Sequence, residues 1–152
     1  MWRSVLLIYT LISAVPAALA QQQTVKIVSA GVADRTVVIS GESDNPLITS
    51  LVVKFNTSGL AHILVGQTDD RSKANMILCR GGITNRTIKI TDGNLADVSV
   101  KIAAAGLADV TIGIRGEGPF RYLFYAEDGH LAKRDIVAAL LPEIEELAKK
   151  GK

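Results

Sequence analysis

Between Thr24 and Ala126, apolar residues recur at every second position in short runs, and this alternation constrains the chain more than any other feature. Period two is the repeat of a strand with one buried face, because successive side chains point to opposite sides. The clearest runs are Thr87-Ile88-Lys89-Ile90-Thr91, Val98-Ser99-Val100-Lys101-Ile102 and Val110-Thr111-Ile112-Gly113-Ile114. Further runs lie at 24–29, 35–40, 47–55, 60–65, 75–80 and 119–126. Turn formers separate them, among them Gly41 to Pro46, Gln67 to Lys73, Gly81-Gly82 and Gly116 to Pro119. About nine short strands at intervals of roughly 8–12 residues indicate a mainly β fold. Helical segments do not alternate with the strands, which argues against a doubly wound sheet. The expected fold is an antiparallel β-sandwich with a C-terminal α-helix.

A short internal repeat supplies an alternative. Gly31-Val32-Ala33-Asp34, Gly59-Leu60-Ala61-His62 and Gly106-Leu107-Ala108-Asp109 share one form, and Leu95-Ala96-Asp97 follows Gly93 with one insertion. Each copy precedes an apolar run. Such self-similarity fits stacked coils of a β-solenoid, but the copies are unevenly spaced. The simpler reading is a turn that suits a following strand.

After Gly129 the period lengthens. Ile136 or Val137, Leu140, Leu141, Ile144, Leu147 and Ala148 form one stripe at helical spacing, with Glu143, Glu145 and Glu146 opposite. Asp135 is a suitable N-cap, and Pro142 predicts a kink or a second helix start. The expected organisation is a β-domain over 21–130 and an amphipathic helix over 131–152 packed on it, with the aromatic run at 120–125 as the nearest surface.

Residues 1–20 read as a cleavable export signal. Arg3 precedes an apolar run from Val5 to Ile12, Pro16 breaks it, and Ala18-Leu19-Ala20 supplies small residues before Gln21. An uncleaved anchor is the competing reading. The junction resembles those of Gram-negative envelope proteins, so the expected location is periplasmic or secreted, with no membrane span after cleavage. The formal net charge of +2, from 17 basic and 15 acidic side chains, gives no overall electrostatic footprint for nucleic acid. One cysteine and two histidines exclude a disulfide framework, a Cys-rich metal site and a His cluster.

Catalytic motifs are absent from the sequence. Cys79 ends an apolar run and reads as an inert core thiol. His62 lies in a predicted strand. The densest polar group is Glu127-Asp128-Gly129-His130, with Asp135 nearby; it reads first as a turn, and second as a divalent-metal site. Asp69-Asp70 reads as a solvated loop. The stretch Phe120-Arg121-Tyr122-Leu123-Phe124-Tyr125 offers Phe120, Arg121, Tyr122 and Tyr125 as candidate binding residues for a protein, peptide or glycan partner. Asn56 and Asn85 head glycosylation sequons that matter in a eukaryotic host. The expected function is that of an exported, non-catalytic protein acting by binding or assembly, with no cofactor. The alternatives are a small hydrolase or metal-dependent enzyme using Asp128 and His130, and a solenoid-type structural module.

Overall fold

Alternation does produce strands. The computed structural model describes residues 21–41, 50–92 and 95–151. Nine strands lie among them: β1 (Gln23–Val28), β2 (Arg35–Ser40), β3 (Leu51–Asn56), β4 (Ile63–Gln67), β5 (Met76–Cys79), β6 (Arg86–Ile90), β7 (Val98–Ala103), β8 (Val110–Ile114) and β9 (Tyr122–Ala126). Two helices follow, α1 (Lys133–Ala139) and α2 (Leu141–Lys150). The export signal read over 1–20 lies outside the described residues.

The strands do not form an antiparallel sandwich. All of their pairings are parallel, in a closed barrel of order β1-β5-β9-β4-β8-β3-β7-β2-β6. Each strand pairs with those four and five places away in sequence, so the chain winds around the barrel twice and consecutive strands are never neighbours. Period two reports which face is buried; it carries no information about the direction of the neighbouring strand. An antiparallel sandwich would need the turns to reverse the chain onto a neighbouring strand, whereas the described loops carry it back along the outside of the wall across one intervening strand. An open solenoid is not formed either, because β6 pairs with β1 and closes the wall.

Parallel strands ordinarily need a long crossover, usually a helix. Steep tilt removes that need here. Followed once around the wall, the registers return to β1 displaced by about 16 residues, which for nine strands implies a tilt of roughly 50° and a backbone radius of about 11 Å. Each strand therefore travels mostly sideways, and a short loop suffices to reach the next start. The same radius leaves a lumen wide enough for a helix of about 10–12 Å diameter between wall side chains.

Helix α1, with Leu140 and Leu141 that follow it, occupies that lumen. Ile136, Val137, Ala138, Ala139, Leu140 and Leu141 are six consecutive residues at 0–1% exposure, more than a full turn, so every face is covered. Val25, Val37, Val53, Val65, Ile88, Val100, Val110, Ile112 and Phe124 supply the wall, all fully buried. No polar side chain is fully buried among the described residues. The Lys133 ammonium stands 5.5 Å from the Phe55 ring near the end of β3, while Arg86 at the start of β6 donates to the Ala139 carbonyl. The helix thus runs through the barrel against the strand direction. This differs from a stripe lying on the aromatic strand: only α2, beyond a break at Leu140, alternates buried and exposed sides. Pro142 sits in the first turn of α2. Asp135 is not the N-cap; Ala132 is, and its N–H donates to the Asp135 carboxylate at 3.3 Å.

At the strand-start mouth, Arg35 and Arg86 meet α2. The Arg86 guanidinium reaches both carboxylate oxygens of Glu143 at 3.3 Å, and Arg35 Nη2 lies 2.9 Å from Glu145 Oε1. Glu145 Oε1 is buried without a directed hydrogen bond, so its charge is met by ion pairing.

The Gly-x-Ala-Asp repeat fastens the loops that carry it to the wall. Asp109 N–H donates to the Val52 carbonyl, and Val52 N–H donates to Asp109 Oδ2, both at 2.8 Å. Asp34 clasps Thr87 in the same way (2.9 and 2.8 Å), as does His62 with Thr111 through Nδ1 (2.8 and 2.9 Å). Asp97 accepts from Thr36 N–H at 2.8 Å, and Asn85 from Thr24 N–H at 2.9 Å. Any short acceptor side chain serves, which is why Asp, Asn and His interchange. Asp109→Ala is expected to cost about 1–2 kcal/mol, because it strips a charged acceptor from a backbone donor. Asp109→Asn should retain most of the stability; urea unfolding of the two variants is the check.

Candidate functional site

Three places carry the candidate residues. The first is a cleft of about 330 Å³ at the strand-end mouth, lined by Ile27, Leu78, Cys79, Arg80, Asp128, His130 and Asp135. Asp128 and His130 come together here because Asp128-Gly129 forms the turn between β9 and α1, with Gly129 at φ +76°. Arg80, just past β5, ties that turn down: its guanidinium lies 2.6 Å from Asp128 Oδ2, and its N–H donates to Glu127 Oε2 at 2.8 Å. Arg71 adds a 3.3 Å pair to Glu127 Oε1, and His130 N–H donates to Asp128 Oδ1 at 3.1 Å.

These partners set the protonation. The Arg80 side chain holds the Asp128 carboxyl below its usual range, and the Arg80 backbone N–H does the same for Glu127. Burial, followed by the Glu127 charge, pushes the Cys79 thiol up. Both carboxylates stay ionised and the thiol stays neutral near pH 7, the pattern of a structural clasp and the opposite of an activated nucleophile. Among the described residues, no three His, Cys, Asp or Glu side chains are grouped to hold a metal ion. Glu127 bonds Arg71 and the Arg80 N–H and is not among the residues that line the cleft. His62 lies at the opposite mouth with Ile63, Arg121, Glu143 and Leu147.

Cys79 is half-buried rather than a core residue. Its alkylation by iodoacetamide is therefore expected to be slow at pH 7–8 and to rise only above the ordinary thiol range of about 8.5, since the thiolate is the reacting form. A rate following an unshifted thiol would contradict this.

The second place is the aromatic stretch, whose four candidates divide between the two sides of the wall. Phe120 lies on Gly66 of β4: a Cβ there would stand 2.5 Å from the Phe120 ring. Tyr122 is half-buried on the inward side, in register with Val65. Tyr125 is half-buried on the outer side, and exposed Arg121 stands 5.9 Å from the Tyr122 ring.

The third place was not singled out from sequence. Val32, Leu60, Ile83, Leu95 and Leu107 are 96–103% exposed. Each is the third residue before a strand, and Val32, Leu60, Ile83 and Leu107 each follow a glycine with φ between +79° and +89°. That left-handed glycine turns the chain outward, so the next side chain stands off the wall. A signal was available: the Gly-x-Ala-Asp turn needs its glycine and its acceptor, but nothing in the turn itself requires an aliphatic second residue. Leu60 instead reads by eye as the first residue of a strand.

Comparison with protein families, with characterised proteins and with solved structures yields no match to this chain. No helix among the described residues is long and apolar enough to cross a membrane.

Proposed function

We propose that this is an exported, non-catalytic binding or assembly protein that acts through the outer corners of its barrel. One observation carries the reading: five aliphatic side chains stand almost fully in water at one repeated position, where the fold gains nothing from them. The lumen, where other barrels hold a ligand, is filled by the chain's own helix. In the strand-end cleft Asp128 is ion-paired to Arg80 and its carboxyl is held below its usual range, which weighs against acid–base work by Asp128. Export rests on the sequence pattern of residues 1–20.

The test is expression of the whole chain in a Gram-negative host, followed by fractionation and mass spectrometry. The expected product starts at Gln21 and co-fractionates with the envelope. A variant carrying serine at Val32, Leu60, Ile83, Leu95 and Leu107 should melt like the wild type and lose that association. An intact Met1 in the cytoplasm would defeat the export reading. Unchanged association of the serine variant would defeat the role of the corners.

A further inference from the structure

We infer that His62 makes the β3–β4 loop acid-labile: protonation of its ring releases the returning limb of that loop from β8 while the other loops stay fastened. The inference concerns how one loop is held and does not depend on what the corners bind. Six clasps occupy one structural position, the residue immediately before a strand. There a side chain accepts from a backbone N–H of the strand that the loop crosses. Asp34, Asp97 and Asp109 use a carboxylate oxygen, 2.8 Å from the nitrogens of Thr87, Thr36 and Val52. Asn75 and Asn85 use an amide oxygen, 2.7 Å from Leu123 N and 2.9 Å from Thr24 N. Of the six, only His62 uses a ring nitrogen, with Nδ1 2.9 Å from Thr111 N.

The difference is chemical. A neutral imidazole accepts at Nδ1 only while its proton sits on Nε2, and the imidazolium donates from both nitrogens. On protonation Nδ1–H would confront Thr111 N–H, donor against donor, and the ring must turn away. Imidazole ordinarily changes charge near pH 6.5, within an interval where carboxylate and amide oxygens ordinarily keep accepting. One clasp of the set is therefore sensitive to mild acid by its residue type alone.

The surroundings let the ring leave. His62 is exposed, so water reaches it. Glu143 and Glu146 of α2 line the same cleft of about 70 Å³ and offer carboxylates to an imidazolium. Arg121 and Lys150 line it too; Lys150 Nζ is 3.0 Å from Glu146 Oε1, and Arg86 lies 3.3 Å from Glu143. On the strand side, the Asp109 carboxylate is taken by Val52 N–H, and Lys54, in register with Thr111, reaches the Gly106 carbonyl at 3.5 Å. The loop tip has its own ties, from Asn56 Nδ2 to the Leu60 carbonyl at 2.9 Å and from Arg115 Nη2 to the Gly59 carbonyl at 2.7 Å. What loosens is thus the limb of Ala61 and His62, which lies flush on Gly113 of β8: a Cβ at Gly113 would stand 3.0 Å from Ala61 Cβ. That limb then keeps one backbone bond to β8, from His62 N–H to the Thr111 carbonyl at 2.8 Å.

The experiment is amide hydrogen exchange of the purified protein, followed by NMR at pH 7.5 and pH 5.5. Each rate is compared with the intrinsic rate at the same pH, which leaves a protection factor. His62→Asn keeps a short acceptor without the titrating ring, His62→Asp places there the residue of three sister clasps, and His130→Gln removes the other imidazole. In the wild type and in H130Q, the Thr111 amide is expected to lose at least about fivefold of its protection at pH 5.5, while Thr36, Val52 and Thr87 change by less than about twofold. In H62N and H62D, Thr111 should be protected equally at both pH values. Thr111 protection that does not depend on pH in the wild type overturns the inference. So does the same acid loss persisting in whichever of H62N and H62D folds. An equal loss at Val52 and Thr87 would show a general loosening of the wall and would overturn it as well.

Discussion

Deletion of residues 131–152 is expected to abolish the folded barrel, with loss of strand signal in circular dichroism and no cooperative urea transition. The deletion removes Ile136, Leu140, Leu141 and Ile144, all at 0–1% exposure, and the strands alone cannot close over a lumen of this radius. Burial of each large aliphatic contributes roughly 1.5–3 kcal/mol, so these four together match the whole net stability of a typical domain. A milder version separates loss of filling from loss of chain. Leu140→Ala is expected to cost about 2–5 kcal/mol, because the wall on every side prevents collapse into the cavity. A helix lying on an outer surface would give a soluble, cooperatively folding truncation.

Replacing Arg86 by Ala is expected to cost about 2–4 kcal/mol, measured by urea unfolding. Arg86 and Glu143 are each 19% exposed, and Arg86 also bonds the Ala139 carbonyl and lies 3.3 Å from Gln23 Oε1. Its removal leaves a carboxylate and a helix-end carbonyl facing the barrel mouth without their donor. Removing both members should cost less than the two single losses combined, since Arg86→Ala with Glu143→Ala no longer strands a charge. Equal additive losses would mean that the pair is not coupled and that α2 is not held at this mouth by its arginines.

What the sequence reveals follows from what each pattern physically encodes. Alternation in runs such as Val98 to Ile102 marks one buried face, and β7 forms there. It says nothing of the partner, and here Val100 lies between Ile39 and Leu51 in parallel register. The return of each loop over the outer wall depends on tilt, a property of the closed barrel that no single segment displays. The C-terminal stripe is legible in α2, but of the acids expected opposite it only Glu146 is exposed, while Glu143 and Glu145 turn to Arg86 and Arg35 at the barrel mouth. From α1 into the start of α2 the run Ile136 to Leu141 is apolar all round, the sequence mark of helix buried on every side, and treating it as one end of a longer stripe obscures that. At the strand-end mouth, the nearness of Asp128 and His130 is legible from the turn itself. Arg80, 48 residues away, decides their electrostatics and is visible only once β5 and β9 pair.

The central claim is that a parallel barrel is wound around its own helix. Paramagnetic relaxation of the resonances of residues 136–141 by a soluble gadolinium chelate tests it most directly, in NMR of residues 21–152. Ile136, Val137, Ala138, Ala139, Leu140 and Leu141 should all be shielded as fully as Val53 and Val100 of the wall. Relaxation that rises and falls along these six residues with a period near 3.6 would place one face of the helix in water and contradict it.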